Sequence, residues 1–376
     1  MDNEALYQRR LERIEAAINL KPVDRIPVIY AGIATVPRQM GITVADFLSD
    51  QNRAMDLTIK YMDKLNGLDG SNSIPSTIIN VELTLLWHNR VQMPGRELPD
   101  DTLWQVDEKE VMSIEDYDMI INDGFQAFQA QHLPKVTDMA EFQSAIEKMP
   151  EISHIIRNAF IDNGYVPMTG GVSTIPFEIL CGGRSMTQFY MDLYRRPEKV
   201  KAAMDAMIHD QIEMACRIVE TTGIKRIWVG GWRSASMLLA PNLWDEFVFP
   251  YFKQLTWALA EKDIVSILHF DQDWTRDLRR LLDLPPKKCV LNIDGMTDIR
   301  QAKKILGNHM AIMGDIPSAM LKTGTAEAVY SYARELIRDI GPTGFLLAPG
   351  CEAPIDAKSE NMEAYVAAGR DFGAPV

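Results

Sequence analysis

The sequence predicts an α/β protein that folds as a single (β/α)8 TIM barrel, with an N-terminal helical extension and an insertion near residues 88–125. Three observations favour this fold. Short apolar runs alternate with longer amphipathic segments about eight times, which is typical of parallel βαβ units. No glycine-rich phosphate-binding motif follows any run, so a nucleotide-binding open sheet is disfavoured. No linker rich in Pro, Ser or Gly divides the chain, so residues 1–376 form one predicted domain.

The first half of the chain is less regular than the second. Apolar side chains recur on one face of the first predicted helix, and Lys21-Pro22 ends it. The predicted elements of this half are a helix at 4–20, a strand at 26–30, a helix at 44–65, strand-like segments at 67–70 and 77–87, the polar loop or hairpin insertion at 88–125, and a helix at 138–162.

The second half alternates clearly between strands and helices. Each apolar run is four to six residues long and is followed by an amphipathic segment, as parallel strands buried on both faces require. The predicted strands lie at 165–169, 226–230, 264–269, 289–293, 310–313 and 344–348, and the predicted helices lie at 186–222, 243–262, 274–284, 298–306, 325–340 and 360–371.

Composition limits the classes of function. The formal net charge of −13 disfavours nucleic acid and anionic membranes as partners. No run approaches the roughly 18 apolar residues of a membrane span. The charged N-terminus lacks an apolar signal region, so a cytoplasmic protein is expected. The four cysteines are far apart and lack CxxC spacing, so neither a disulfide framework nor a zinc ribbon is predicted.

Three metal-binding side chains follow two of the predicted strands. His269 and Asp271 come at the end of the run 264–268, and Cys351 follows the run 344–348. Because parallel barrel strands end at one rim, an imidazole, a carboxylate and a thiolate are expected to converge there. Such a set predicts a zinc ion with an open position, which would activate a bound thiol or another nucleophile.

Each of the three residues has a simpler alternative interpretation. His269 would also fit a buried core histidine, and Cys351 a small turn residue. Asp271 would also fit an acceptor that orients His269, or a helix cap, although Asp273 lies closer to the helix start.

A series of short phrases extends along most of the chain. Their order from residue 9 to 373 is more specific than any one of them: Arg9–Ile18 with Pro22–Pro27, Gly171–Gly183, Arg196–Glu198, Leu239–Pro241, Phe249–Tyr251, Gly314–Pro317 and Gly350–Pro354. In this order they resemble the uroporphyrinogen decarboxylase superfamily. The resemblance implies a (β/α)8 barrel and, since barrels in this family often pair, a possible homodimer.

The resemblance implies two chemistries. Members that decarboxylate uroporphyrinogen carry an Arg-rich segment after the first strand; here the segment 31–41 retains only Arg38. The cobalamin-dependent branch, of the methylcobalamin:coenzyme M methyltransferase type, carries His-x-Cys and a distant Gly-Cys that together bind zinc. His269 and Cys351 match this pattern, and Asp271 replaces its first cysteine. A carboxylate is a harder ligand than a thiolate, so the metal or its reactivity is expected to differ.

The function that the resemblance implies is a zinc-dependent methyltransferase. It would move a methyl group between a corrinoid, supplied as protein-bound cobalamin by a partner corrinoid protein, and a thiol or similar small-molecule acceptor. The alternatives are a carboxy-lyase of the uroporphyrinogen decarboxylase type and a non-catalytic barrel that binds a corrinoid or another small ligand. The replacement of cysteine by Asp271 favours the last alternative.

Further polar and aromatic residues follow other predicted strands. Glu178 and Asp315 are candidate catalytic residues, although a helix-start glutamate and a turn-forming aspartate would also explain them. The candidate substrate-binding residues are Tyr30, Asp69, Trp232 and Arg233.

Overall fold

The computed structural model of the protein describes residues 2–374. Met1, Pro375 and Val376, which the predicted domain includes, lie outside the described residues. Eleven strands occur in this range, and all but one short antiparallel hairpin run parallel to their neighbours. They are β1 (Ile29–Tyr30), β2 (Gly70–Ser71), β3 (Val91–Gln92), β4 (Gln105–Val106), β5 (Val166–Pro167), β6 (Val172–Thr174), β7 (Arg226–Gly231), β8 (Val265–Phe270), β9 (Cys289–Ile293), β10 (Ala311–Ile316) and β11 (Phe345–Pro349).

The parallel strands close into an eight-stranded barrel. Segments β5 and β6 lie in one stretch of chain, in which β5 pairs with β2 and β6 pairs with β7. Between them, the Met168 N–H donates to Ser71 O at 2.8 Å and the Gly170 N–H donates to Arg226 O at 2.9 Å. On the far side, the Leu347 N–H donates to Pro27 O at 2.9 Å and so joins β11 to the start of β1. The predicted fold class is therefore confirmed.

Helices surround the barrel and connect its strands. The α-helices of residues 2–374 are α1 (Asn3–Ile18), α2 (Thr35–Met40), α3 (Val44–Phe47), α4 (Gln51–Leu65), α5 (Ile79–Trp87), α6 (Glu115–Asp123), α7 (Phe125–Val136), α8 (Met139–Asp162), α9 (Pro176–Arg184), α10 (Met186–Arg195), α11 (Pro197–Thr222), α12 (Pro241–Phe247), α13 (Phe249–Glu261), α14 (Ile299–Leu306), α15 (Ser318–Thr323), α16 (Ala326–Ile340) and α17 (Ser359–Phe372), with 3-10 helices at Ser236–Leu238 and Thr275–Asp283. Within the described residues, no helix has both the length and the apolar character needed to cross a membrane.

Helix α1 covers the amino-terminal end of the barrel. Its apolar face, formed by Ile14, Ala17 and Ile18, is buried in one cluster with the side chains that fill the barrel interior. Those interior side chains alternate along the strands and include Ile29, Val166, Ile267, Val290, Ala311, Met313 and Leu346. The N-terminal extension therefore completes the core at this end and leaves the carboxyl end of the strands for a functional site.

The structure corrects three predicted elements. The segment 77–87 was predicted as a strand, but it contains helix α5, because Val81 and Thr84 face the core at helical spacing. Its β-branched residues favour a strand locally, and tertiary packing overrides that preference. The insertion at 88–125 is a hairpin, as predicted, but it also contains helix α6. The predicted helix at 274–284 is a 3-10 helix at Thr275–Asp283.

Asp69 is the centre of a buried ion-pair network beside α1. Its Oδ1 accepts hydrogen bonds from Arg13 at 2.5 Å and from Arg25 at 2.7 Å, and its Oδ2 accepts one from the Val28 N–H at 2.9 Å. The Asp69 side chain is completely buried. Because it comes directly before β2, the network joins α1 to the first two barrel strands.

We expect Asp69→Asn to lower the free energy of unfolding by about 3 kcal/mol, because it removes the buried carboxylate that Arg13 and Arg25 share. Urea denaturation followed by circular dichroism measures the change. Asp263→Asn is the control, since the Asp263 carboxylate binds Lys225 and Lys288 on the exposed surface. An exposed pair contributes less than about 1 kcal/mol. Equal losses in the two variants would contradict a structural role for Asp69.

Candidate metal centre

The three predicted metal ligands converge at the carboxyl rim of the barrel. His269 lies near the end of β8, Asp271 comes just after that strand, and Cys351 follows β11. One donor atom from each residue lies within 4.8 Å of the other two. The His269 Nε2 is 3.2 Å from Asp271 Oδ1. His269 is buried, while Asp271 and Cys351 are half-buried, so the donor set opens on one side towards the barrel mouth.

The direction of His269 follows from strand alternation. Ile267, two residues earlier on β8, belongs to the interior cluster, so His269 also faces into the barrel. The Trp228 ring of β7 is stacked on the imidazole, with 5.0 Å between ring centroids and an interplanar angle of 22°. This contact shields one face of the imidazole and fixes its plane.

Asn292 selects the tautomer of His269. Its Oδ1 lies 2.7 Å from His269 Nδ1, and its amide nitrogen donates to Met313 O at 3.2 Å and to Gly350 O at 3.4 Å. Because the amide nitrogen faces carbonyl oxygens, the Asn292 oxygen must face the imidazole and accept from Nδ1–H. Nε2 therefore carries the lone pair in the neutral imidazole and presents it to Asp271 and Cys351, as a metal ligand requires.

The position of Asp271 bears on its alternative roles. Asp273, rather than Asp271, accepts the Thr275 N–H at 2.8 Å and so caps the following turn. The orienting position at Nδ1 of His269 is filled by Asn292, and Asp271 lies on the Nε2 side. Both observations favour a ligand role for Asp271.

The turn after Asp271 is held from outside the site. Gln272 adopts a left-handed conformation with φ of 70°, and its N–H donates to Asp294 Oδ2 at 2.9 Å. The indole N–H of Trp274 donates to Asp271 O at 2.6 Å. These bonds fix the backbone from which the Asp271 carboxylate projects.

Glu352 anchors the loop that carries Cys351. Its Oε2 accepts the Ile33 N–H at 2.6 Å, and its Oε1 accepts the hydroxyl of Ser73. The next residue, Ala353, donates to Ala31 O at 3.0 Å. The loop after β11 is thereby joined to the loops after β1 and β2. These bonds hold the Cys351 loop against the first two strands of the barrel.

His269 is in surroundings that favour a bound positive charge. Burial by itself lowers the pKa of His269, but hydrogen bonds and charge from Asp271 and Cys351 reverse this effect and raise that pKa well above its ordinary value. These contacts therefore favour the protonated form of the imidazole in the metal-free protein. A cation that binds the three donors must displace this proton.

The two predicted catalytic residues lie outside the group of donor atoms. Glu178 is completely buried; its Oε1 accepts from the Trp232 N–H at 2.8 Å and from the Ser234 hydroxyl at 2.6 Å. Asp315 accepts the Tyr332 hydroxyl at 2.9 Å, between the strand and the helical layer. Burial raises the pKa of Asp315 to about 7, although the Tyr332 hydrogen bond acts against that shift. Their catalytic roles stay predictions, and Glu178 fixes the loop after β7.

Trp232 and Arg233 lie beside the donor atoms of His269, Asp271 and Cys351. The Trp232 ring is 5.2 Å from that of Trp228, which stacks on His269, and 4.8 Å from that of Trp87 in α5. The Arg233 guanidinium lies 5.4 Å from the Trp87 ring centroid and forms an ion pair with Glu108 at 3.1 Å. The three indoles form an aromatic wall next to His269, with one cation at its outer end.

The structure does not bring Tyr30 or Asp69 to this wall. The Tyr30 hydroxyl donates to Gly32 O at 2.5 Å, and its ring packs edge-on against Tyr61 in the layer between strands and helices. Asp69 lies in the ion-pair network beside α1, near the amino-terminal end of the barrel. Substrate binding by these two residues stays a prediction, and their contacts are those of structural residues.

Sequence reasoning missed four residues of the site. Trp228 precedes Gly230 by two positions on β7, so alternation would have placed it inside the barrel. Asn292 lies in β9, whose prediction gave no reason to single out a polar residue. Trp87 lies in a segment predicted as a strand, and the partners of Glu352 are more than 270 residues away in the chain.

We expect Asn292→Ala to weaken zinc binding by about 10- to 100-fold, because losing the acceptor frees the orientation and the tautomer of His269. Competition with a chromophoric chelator measures the dissociation constant. Asn158→Ala, on the exposed face of α8, serves as the control. If the two variants bind zinc equally well, Asn292 does not orient the ligand.

We also expect zinc binding at pH 7 to release protons, because the contacts of His269 raise its pKa and so favour its protonated form in the metal-free protein. Because protons compete with zinc for His269, the apparent affinity for zinc should fall as the pH decreases and increase as the pH rises. Calorimetry in buffers with different enthalpies of ionisation counts the released protons. Identical heats in all buffers would contradict the displacement of a proton from His269 by zinc.

Known proteins resemble this chain in its whole fold and in part of its sequence. A methyltransferase from Methanosarcina mazei has a similar structure, with a TM-score of 0.74 and 20% sequence identity, over 96% of this chain and 98% of that chain. The methylcobamide:CoM methyltransferase of Methanosarcina acetivorans is 24% identical over 184 residues, which are 49% of this chain and 52% of that protein.

Decarboxylases are also among the relatives. The uroporphyrinogen decarboxylase of Syntrophotalea carbinolica is 28% identical over 168 residues, which are 42% of this chain and 46% of that protein. The matched region thus spans about half the length of these curated relatives. The family model described as uroporphyrinogen decarboxylase (URO-D) matches residues 122–372, about two thirds of the chain. The chain belongs to the uroporphyrinogen decarboxylase family.

Proposed function

We propose that this protein is a zinc-dependent methyltransferase that moves a methyl group between a corrinoid and a thiol or similar acceptor. The observation that carries the proposal is the convergence of the His269, Asp271 and Cys351 donor atoms at the barrel mouth. The similarity to a methylcobamide:CoM methyltransferase supports this choice within the family.

The residues present fit a catalytic zinc ion. Nitrogen, oxygen and sulfur donors are all common zinc ligands, and three protein ligands leave a fourth position for substrate. In the neutral imidazole, the lone pair of His269 Nε2, set by the Asn292 hydrogen bond, faces the other two donors. When bound, zinc would act as a Lewis acid that lowers the pKa of a substrate thiol.

The chain's own residues would orient the acceptor and limit its contact with water. Trp228 covers one face of His269, and Trp232 extends this apolar wall towards the mouth. Glu178 fixes the backbone of residues 232–234 through hydrogen bonds to their N–H groups, so the wall keeps its position. A rigid wall beside the donor atoms favours one orientation of the reacting sulfur.

A corrinoid protein is the partner that we propose for the barrel mouth. Large apolar side chains are exposed on the segments that follow two of the barrel strands. They are Met237 (52% exposed) and Leu238 (37%) after β7, and Met296 (60%) after β9. An apolar rim of this kind would receive a protein that presents its cofactor to the centre of the barrel.

Decarboxylation of a tetrapyrrole is the second candidate, supported by the Syntrophotalea carbinolica relative. A substrate with several carboxylates needs several cations, and arginine binds carboxylates in bidentate fashion. The segment 31–41, where decarboxylases of the family carry an Arg-rich motif, contains only Arg38. Methyl transfer therefore agrees better with this chain.

We expect the purified protein to contain about one zinc per chain, and to demethylate free methylcobalamin in the presence of a small thiol. His269→Ala and Cys351→Ala should lose the metal and the activity, since each removes a donor. Metal analysis and the absorbance change of the corrinoid measure the two effects. His154→Ala, on the exposed surface, and Cys216→Ala, on α11, are the matched controls.

The same experiment separates the alternatives. Metal-free protein that binds a porphyrinogen would favour the decarboxylase, and protein that binds neither metal nor porphyrinogen would leave a non-catalytic barrel. Asp271→Cys should retain the metal and methyl transfer, because it creates the His-x-Cys pattern of the methyltransferase branch. A folded Asp271→Cys variant without metal would show that Asp271 is not a ligand.

A further inference from the structure

Three tryptophan side chains line one side of the barrel mouth. Trp228 faces inward on β7 and stacks on the His269 imidazole. Trp232 follows that strand, and Trp87 is the last residue of α5. All three indoles are half-buried, so part of each ring stays accessible. Because α1 closes the amino-terminal end of the barrel, the recess beside Trp228 opens at the mouth.

The absence of a side chain at Gly230 places the Trp232 ring next to His269. A Cβ atom on Gly230 would lie 2.3 Å from Trp232 Cη2 and 2.5 Å from Trp232 Cζ2, so the indole packs directly on the Gly230 backbone. Gly230 is in register with His269 of β8. The Trp232 ring therefore occupies the inward position of β7 at the level of the imidazole, where it borders the recess.

Glu352 brings a carboxylate to the same recess. Its side chain is exposed, and it accepts hydrogen bonds from two neutral groups, the Ile33 N–H and the Ser73 hydroxyl. Among residues 2–374, no lysine or arginine lies within ion-pair distance of this carboxylate. Burial raises the pKa of Glu352, while these hydrogen bonds and the nearby charge of His269 act against that shift. A cation in the recess would stabilise the ionised carboxylate in the same way.

An amide side chain between Glu352 and the tryptophans has no partner. Gly70 of β2 is in register with the inward-facing Val166 of β5, so Asn72, two residues later, also faces inward. The next residue, Ser73, binds Glu352, and only the β5–β6 stretch separates β2 from β7. The buried Oδ1 of Asn72 has no hydrogen-bond partner within the described part of the chain. Because buried polar atoms are normally paired, a ligand with an N–H group would supply the missing donor.

Arg233, at the outer end of the indole wall, already has an anionic partner. It forms an ion pair with Glu108 at 3.1 Å, and its guanidinium lies 5.4 Å from the Trp87 ring centroid. The ion pair reduces the positive charge that this candidate substrate-binding residue offers to an anion. The contact with Trp87 shows that a cation is stable against this wall, because the π-electrons of an indole attract positive charge.

We propose that the small-molecule acceptor of this site carries a protonated amino group, held between the indole wall, Asn72 and Glu352. The indole faces attract the cation, the Asn72 oxygen accepts one N–H, and the Glu352 carboxylate balances the charge. An anionic acceptor would face Glu352 without an unpaired arginine from the wall. This inference rests on the proposed function, because it names the charge of the acceptor for the same site.

Calorimetric titration of the full-length protein with three thiols of equal length, with and without added zinc, tests the charge preference. The thiols are cysteamine, mercaptoethanol and mercaptoethanesulfonate, whose end groups are positive, neutral and negative. We expect cysteamine to bind about tenfold more tightly than mercaptoethanol, as one desolvated cation–π contact allows, and mercaptoethanesulfonate to bind most weakly. Comparable affinities for the three thiols, or no measurable binding of cysteamine, would overturn the proposal.

Asn72→Leu and Trp232→Leu should each reduce the preference for cysteamine over mercaptoethanol by about fivefold or more, since each removes one contact of the amino group. The Asn72 oxygen has no partner within residues 2–374, so its loss leaves the fold intact. Asn158→Leu and Trp257→Leu, on the exposed surfaces of α8 and α13, are the matched controls. A preference that both test variants retain as fully as the controls would also overturn the proposal.

The binding measurement and the methyl-transfer assay have separate outcomes. A preference for cysteamine in protein that does not demethylate methylcobalamin would keep the amine site and remove the proposed function. Methyl transfer with equal kcat/KM to all three thiols would keep the proposed function and remove the amine site.

Discussion

The candidate site depends on the closure of the parallel sheet. His269 and Cys351 lie at the ends of β8 and β11, which are separated in the sheet by β9 and β10. In an open sheet their side chains would lie on a nearly flat edge. Closure curves the sheet, so that inward side chains of non-adjacent strands approach one another across the interior.

Closure is achieved at two short connections. The stretch from β5 to β6 changes partners from β2 to β7, and the hydrogen bond from Leu347 to Pro27 joins the last strand to the first. Helix α1 then fills the amino-terminal end with Ile14, Ala17 and Ile18. The amino-terminal end of the barrel is therefore closed by packed apolar side chains, and the carboxyl-terminal end carries the candidate site.

The sequence predicted those features that are local in the chain. Alternating apolar runs revealed the strands, and a polar residue directly after a run identified His269, Asp271 and Cys351. Features that depend on distant partners were missed. Helix α5 was predicted as a strand because its helical face becomes visible only when Val81 and Thr84 meet the core. Asp69, like His269, was selected because it lies at the end of a predicted strand. Its arginine partners come from the N-terminal segment, and this contact was not predicted.

Residues outside the donor set determine how its members are presented. Asn292 contacts both His269 and the carbonyl of Gly350, the residue before Cys351, so one amide side chain relates the two halves of the site. Asp271 keeps the single negative charge that a cysteine thiolate would carry as a ligand. The formal charge around a bound cation is therefore the same as in the methyltransferase pattern, while the softness of the donor differs.

The left-handed turn at Gln272 has a consequence for how such a site diverges. A non-glycine residue in this conformation carries a local conformational cost of about 1 kcal/mol, and the hydrogen bond from its N–H to Asp294 helps to maintain it. The direction of the Asp271 carboxylate is thus set by the neighbouring loop after β9, which supplies no donor atom. A change in that loop would therefore move the backbone that carries Asp271 even if all three donor residues stayed the same.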